Sequence, residues 1–333
     1  MDTHVLVTGG AGYIGSHAVL ALREAGCKVV VLDDLSTGRV EAVPDGVPLA
    51  VGDVGDAETV SRVLAEHRIE AVMHFAGSIL VPESVSNPLK YYRNNTAASR
   101  TLIEGCVEHG VGAFVFSSTA AVYGIPEKVP AAEDAPTVPI NPYGWSKLMT
   151  EQILRDVAAA HGLQHVALRY FNVAGADPKG RTGQATPEAT HLIKVAAEVV
   201  TGKRPGIQIF GEDYPTPDGT CVRDYIHVTD LADAHVSALK HLVGGGDSLT
   251  LNCGYGRGYS VREVLAAVEA EAGRDLNAQG APRRAGDPPE LVADVARIRA
   301  AFDWTPRYED LSVIVKTALA WETKLSGKAE QAD

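Results

Sequence analysis

The stretch from His4 to Asp34 constrains this chain more than any other. His4-Val-Leu-Val-Thr8 is a short apolar strand, and Gly9-Gly10-Ala11-Gly12-Tyr13-Ile14-Gly15 follows at once. Ser16 to Ala25 then carries a helical pattern ended by Gly26, and Cys27 to Leu32 is a second strand running into Asp33-Asp34. Strand, glycine turn, helix and strand make a βαβ unit, which commits the chain to a parallel sheet covered by helices. Glycines at 9, 12 and 15 let backbone N–H groups approach a pyrophosphate seated on the positive end of the helix. The spacing differs by one from G-x-G-x-x-G, and glycines also serve plain tight turns. The strand before, the helix after and the acid at the end of the next strand supply the context a dinucleotide site needs. Asp33 is expected to accept hydrogen bonds from the adenosine ribose. Its charge would repel a 2′-phosphate, which favours NAD over NADP.

The alternation continues. Strands are expected at Pro48–Val51, Ala71–Phe75, Ala113–Phe116 and Val166–Phe171, with a helix from Asp56 to about His67 and a long one from Pro88 through Val107. Ligands lie outside the carboxyl ends of strands in such a sheet. That puts Gly9 to Gly15, Asp33, Asp53, Phe75 to Gly77 and Ser117 to Thr119 along one rim. After Asn172 the composition shifts. Residues 175–190 read as a loop rich in Gly, Pro, Thr and Asp, followed by a helix (Leu192–Thr201), a strand (Ile207–Phe210), a second loop, a strand at Arg223–His227, a helix over Asp230–Leu242, a strand at Leu249–Asn252 and a helix capped by Ser260. The expected fold class is α/β: a doubly wound parallel (Rossmann) sheet over residues 1–172, completed by parts of 226–253, with a smaller α/β substrate-binding domain over 173–330. Arg223, Arg283 and Arg284 stand out in the second half. Arginine suits a diphosphate clamp, although Arg283 and Arg284 read equally well as surface charges.

Asn141-Pro-Tyr-Gly-Trp-Ser-Lys147 opens another helical pattern. Tyr143 and Lys147, at i and i+4, share a helix face. A nearby ammonium favours phenolate and is expected to pull the Tyr143 pKa down toward working pH. Such pairs are common on helices, and the rim around this one is what gives it meaning.

A net charge of −12 gives no general pull on nucleic acid or anionic membrane. Four scattered cysteines, Cys27, Cys106, Cys221 and Cys253, have no metal-ligand spacing and read as reduced, buried thiols. No metal site is expected. No apolar run reaches spanning length and the chain opens directly into a strand, so the expectation is a cytoplasmic protein. The polar segment Lys324–Asp333 is expected to fray.

Several strings together resemble one family. They are Val7-Thr-Gly-Gly-Ala-Gly-Tyr-Ile-Gly-Ser16, His74-Phe-Ala-Gly77, Pro88-Leu-Lys-Tyr-Tyr-Arg-Asn-Asn95, Phe116-Ser-Ser-Thr-Ala-Ala-Val-Tyr-Gly124, Pro142-Tyr-Gly-Trp-Ser-Lys147, Leu168-Arg-Tyr-Phe-Asn172, Asp218-Gly-Thr-Cys-Val-Arg-Asp-Tyr-Ile-His-Val228 and Pro282-Arg-Arg-Ala-Gly-Asp287. The chain is similar to the extended short-chain dehydrogenases/reductases and, within them, to the UDP-glucose 4-epimerases, from His4 to about Trp321. The last two strings are the most specific. The resemblance implies a catalytic set of Thr119, Tyr143 and Lys147. It implies NAD held by Gly9, Gly12, Tyr13, Ile14, Gly15, Asp33, Asp34, Asp53, Val54, Phe75, Ala76, Gly77, Asn94, Ser117, Tyr143, Lys147 and Tyr170. It implies UDP-glucose or UDP-galactose held by Thr119, Tyr143, Asn172, His191, Leu192, Gln208, Ile209, Phe210, Arg223, Arg284, Asp287 and Leu291. It also implies a homodimer joined by a four-helix interface from Pro88–Val107 and Pro142–Ala160, and a place in galactose metabolism and the supply of UDP-galactose for polysaccharide synthesis. Three positions depart from the common pattern: Ile79 where many members carry Lys, His191 for Asn, and Leu291 for Tyr or a smaller residue.

The implied chemistry is transient oxidation at sugar carbon-4, with Tyr143 taking the hydroxyl proton and the planar 4-keto sugar receiving hydride on its other face. A dehydratase of the superfamily needs an Asp-Glu pair directly after the Thr. Ala120 and Ala121 stand there, so elimination lacks its acid.

Overall fold

The computed structural model describes residues 1–187, 189–284 and 287–329. The chain runs β1 (His4–Thr8), α1 (Tyr13–Glu24), β2 (Lys28–Asp33), β3 (Leu49–Val51), α2 (Ala57–Glu66), β4 (Ala71–His74), α3 (Val81–Ser86), α4 (Pro88–Tyr91), α5 (Ala98–Glu108), β5 (Ala113–Ser117), α6 (Pro142–His161), β6 (Gln164–Tyr170) and β7 (Asn172–Ala174). It continues through α7 (Leu192–Val200), β8 (Ile207–Phe210), β9 (Val222–His227), α8 (Val228–Val243), β10 (Leu249–Cys253), β11 (Gly258–Ser260), α9 (Val261–Ala272), β12 (Ala278–Ala281), β13 (Glu290–Leu291), α10 (Ala296–Ala301) and α11 (Leu311–Ala329).

The main sheet has seven strands in the order β10-β6-β5-β4-β1-β2-β3, all parallel. Its central strands β1, β4 and β5 are buried on both faces, which is why they read as continuous apolar runs rather than alternating ones. Chain order reverses between β1 and β4, and that switch point opens a crevice at their carboxyl ends. Gly9 and Phe75 stand at its two lips. Strand β10 comes from the second half, and α8 packs on α1, β5 and β6. A second sheet, β11-β9-β13 with β7 on β9, and a two-stranded β12-β8 ribbon complete the architecture. One apolar core runs from Val5 and Val7 through Ile226 and Leu239 to Ile209 and Ile314. The two halves therefore share their packing.

Several boundaries differ from expectation. Helix α1 begins at Tyr13 rather than Ser16, because Gly12 already serves as its N-cap. The helix expected from Pro88 to Val107 is interrupted by a π turn at Tyr92–Ala97. Residues 324–329 are helical rather than frayed: α11 extends through them, and Lys324 Nζ donates to the Gly180 carbonyl at 2.6 Å. Residues 330–333 lie outside the described part.

Candidate active site

The glycine turn is shaped by close approach. Gly9 has φ +69, and a Cβ there would stand 2.7 Å from Ala76 N, so the two lips of the crevice touch through backbone alone. A Cβ on Gly15 would stand 2.1 Å from Gly9 O, so only glycine lets α1 start this close to β1. Gly12 caps α1 without a side-chain bond, leaving the first-turn N–H groups of Tyr13 and Ile14 open to an anion. This is a cradle that side chains would fill, and it fits a dinucleotide pyrophosphate. Asp33, buried at the end of β2, accepts from Ala11 N and Leu35 N, both at 2.9 Å. Burial raises its pKa, and these two bonds lower it. Its remaining lone pairs are what a ribose would meet. Asp34 and Asp53 each close a small turn, onto Ser36 and Gly55. Val54 lies in the apolar core, so any contact it makes with a cofactor is through its backbone.

On the far side of the crevice, Asn94 bonds the Ser78 hydroxyl at 3.2 Å. Its neighbour Asn95 does more. Its Oδ1 accepts from Ser78 N at 2.7 Å, and its Nδ2 donates to Ser78 O and Ser146 Oγ at 2.9 and 3.0 Å. Asn95 thus ties the Gly77–Ser78 turn to α6. The π turn directs it inward, and a plain helical reading does not reveal this. Phe75 and Tyr170 both pack on the buried His235 ring, and Tyr170 OH bonds Ser117 Oγ.

Asn141 caps α6 by accepting from Gly144 N at 2.9 Å, with Pro142 at the first helical position. This start aims Tyr143 and Lys147 at the end of β5. Lys147 Nζ donates to Ser117 O at 3.0 Å and lies 5.1 Å from the Phe116 ring centre. Burial lowers its pKa to about 8. Thr119 Oγ1 accepts from Ala121 N at 3.1 Å, which leaves its own proton free for the Tyr143 phenol. The expectation that Lys147 draws the Tyr143 pKa down needs correction for the protein alone. Burial raises that pKa above its ordinary value, and the lowering influence is the Thr119 hydrogen bond. The Lys147 ammonium donates to the Ser117 carbonyl beside the Phe116 ring.

Behind these residues lies a buried ion pair absent from the sequence reading. Glu151, one turn beyond Lys147 on the same face of α6, takes Arg169 in a two-pronged bond and also accepts from Ser118 Oγ at 2.5 Å. Arg169 Nη1 reaches Tyr123 OH at 3.1 Å. The pair clamps the Ser117–Thr119 turn to the helix that carries Tyr143.

The residues expected to hold the second ligand fall into three groups. Asn172, His191 and Leu192 line one cavity with Gln184, Lys194 and Trp321. On adjacent strands, Asn172 pairs with Tyr225 of β9, and Leu291 of β13 pairs with Arg223, whose Nη2 lies 3.4 Å from Asp287 Oδ1. Leu291 also packs beside the Ala120–Tyr123 turn with Phe171 and Leu148. In the third group, Arg284 stacks 3.8 Å from the Phe210 ring centre, and Gln208 shares that face of β8. Ile209 points the other way, into the core, so only its backbone can face a ligand. Arg283 is engaged elsewhere, over Tyr214 and with Asp213 at 2.6 Å. Among the described residues no cluster could hold a metal, and no helix is long and apolar enough to cross a membrane.

The profile of the NAD dependent epimerase/dehydratase family matches residues 5–254. A UDP-glucose 4-epimerase of Azospirillum brasilense is 64% identical over 98% of this chain and 94% of its own. The chain belongs to the UDP-glucose 4-epimerases. Their fold is this fold: the Brucella ovis UDP-glucose 4-epimerase, solved with NAD, superposes with a TM-score of 0.93 at 44% identity, covering 96% of this chain and 98% of its own. The Bifidobacterium longum epimerase, solved with NAD+ and UDP, superposes with a TM-score of 0.92 at 39% identity, covering 97% of this chain and 98% of its own. The glycine crevice and the arginine-bearing half of this epimerase are therefore set into an architecture that holds both ligands in a relative.

Proposed function

We propose that Tyr143 is the acid/base of this NAD-dependent epimerase, which interconverts UDP-glucose and UDP-galactose. The observation that carries the reading is the placement of the Tyr143 phenol. It meets Thr119 at the carboxyl end of β5, one turn from Lys147, beside the crevice at the switch point. NAD, when bound, would supply the hydride acceptor and donor and a positive charge that favours phenolate. Tyr143 takes the proton of the 4′-hydroxyl and later returns it. Thr119 shares that proton through a short path, and Lys147 steadies the negative phenolate. The 4-keto sugar is planar at the reacting carbon and must present its other face. Arg223 and Arg284 hold the diphosphate while the sugar turns, and Asn172 and the open first turn of α7 add donors. Asp33 sets the preference for NAD over NADP by its charge.

Two further readings belong to this proposal. Trp145 and Met149 on α6, with Leu89 on α4, expose apolar surface. A second copy of the chain covers it, pairing α4–α5 and α6 with their symmetry mates. The enzyme works in the cytoplasm, where its four cysteines, all free and buried, stay reduced. Because NAD is regenerated in every cycle, the purified protein should release it on heat denaturation and should convert UDP-galactose without added cofactor. Release of no dinucleotide, together with inactivity even when NAD is supplied, would overturn the reading.

A further inference from the structure

Two helices here begin at a histidine N-cap, and they use it differently. At α8, His227 Nδ1 accepts from Thr229 N at 3.1 Å and caps the helix. At α7, His191 makes no side-chain cap, because its Nδ1 lies 2.8 Å from Gln184 Nε2. With the amide nitrogen on that side, Nδ1 accepts and the ring proton sits on Nε2, whereas a flipped amide would set the other tautomer. Gln184 is 7% exposed, and its backbone carbonyl is held by Trp321 Nε1 at 3.2 Å. Among the described residues Nε2 has no partner. Gln184, His191 and the start of α7 line the same cavity as Asn172. Lys194, also on that cavity, is tied to Glu322 and Glu198, so its charge is already matched.

We propose that Gln184 is a positioning residue that locks His191 in the Nε2–H tautomer and draws it off the helix cap. One hydrogen bond then has two effects on the cavity. It presents a neutral N–H donor, and it leaves the first-turn N–H groups of α7 free. Both serve a substrate oxygen, either of the diphosphate or of a sugar hydroxyl. The inference rests on the reading of Asn172, His191 and Leu192 as UDP-sugar contacts. It also gives His191 a role that an Asn in its place would fill with its side-chain amide.

The test is NMR of the full-length enzyme labelled with 15N-histidine, at about pH 8 where the ring is neutral. The unmodified protein should show His191 protonated at Nε2 and bare at Nδ1. Gln184→Glu, whose carboxylate can only accept there, should reverse the tautomer. Gln184→Glu and Gln184→Leu should each raise KM for UDP-galactose about tenfold, the worth of roughly one neutral hydrogen bond, with kcat within about threefold. Inhibition by UDP weakened to the same degree would assign the donor to the diphosphate, and unchanged UDP inhibition to the sugar. Protonation at Nδ1 in the unmodified protein overturns the proposal. So does an unchanged KM in both Gln184 variants when His191→Ala raises it. If His191→Ala also leaves KM unchanged, the substrate reading of this cavity fails with it.

Discussion

Arg169 and Glu151 face each other with Nη2 to Oε2 at 2.6 Å and Nε to Oε1 at 2.9 Å, the two side chains 3% and 1% exposed. Such a pair costs desolvation to form, and its loss on one side leaves a bare charge in the interior. Arg169→Met should therefore destabilise the protein by about 3–5 kcal/mol in urea unfolding, more than the double change Arg169→Met with Glu151→Leu. A double variant no more stable than the single one would show that the pair is not what the single variant loses.

Five histidines are buried in neutral form. Burial lowers His17, His165 and His235 to about 4, and His74 and His227 to about 3. Below about pH 6.5 the unfolded chain takes up protons that the folded chain refuses, so stability falls as pH falls. Asp224 works in the opposite sense, since burial raises it to about 6 and the folded state then holds the extra proton. Burial also raises Asp33 and Asp233, so three carboxyls stand against five imidazoles and the net slope stays positive. Urea midpoints between about pH 7 and pH 5 should decline steadily, and a flat or rising profile would contradict this account.

The βαβ start was legible because each of its signals is local: an apolar run, three glycines, a helical period and a terminal acid. The same held for Ser260, whose hydroxyl and Glu263 form the reciprocal cap that opens α9. What stayed hidden depends on tertiary contacts. Strands β11 and β13 are three and two residues long, too short to show alternation, and exist through pairing with β9. Asn94 and Asn95 are identical neighbours, and only the π turn decides which one ties the Gly77–Ser78 turn to α6. In the protein alone the Tyr143 pKa moves up with burial, and sequence spacing shows that Lys147 is near but not that Ser117 O takes a bond from its ammonium.

Arg284 is exposed and stacks on Phe210, a placement that pre-orients its guanidinium without neutralising it. Arg284→Ala should raise the Kd for UDP by about ten- to hundredfold, the loss of a charge-assisted bond worth about 1.5–3 kcal/mol. Calorimetric titration with UDP checks this, and an unchanged Kd would return Arg284 to the role of a surface charge.

Leu291 lies against the Ala120–Tyr123 turn and opposite Arg223, which under the proposed function puts it beside the sugar. A branched apolar side chain there leaves room for a 2′-hydroxyl and presses on an acetamido group. UDP-N-acetyl sugars should turn over slowly, Leu291→Ser should speed them, and Leu291→Tyr should remove what remains. The discrimination should be graded, about 1–3 kcal/mol. Equal kcat/KM for UDP-galactose and UDP-N-acetylgalactosamine in the unmodified enzyme would sink this assignment.

The central claim is that the Tyr143 phenol moves the proton. Tyr143→Phe deletes one oxygen from α6 and leaves the glycine cradle, Asp33 and Lys147 in place. Single-turnover measurement on purified Tyr143→Phe, with bound dinucleotide counted in the same sample, tests it directly. The account predicts full NAD occupancy with conversion of UDP-galactose slowed by about 10²–10⁴-fold, the usual worth of a positioned acid/base. Turnover close to that of the unmodified enzyme, with NAD still bound, would contradict it.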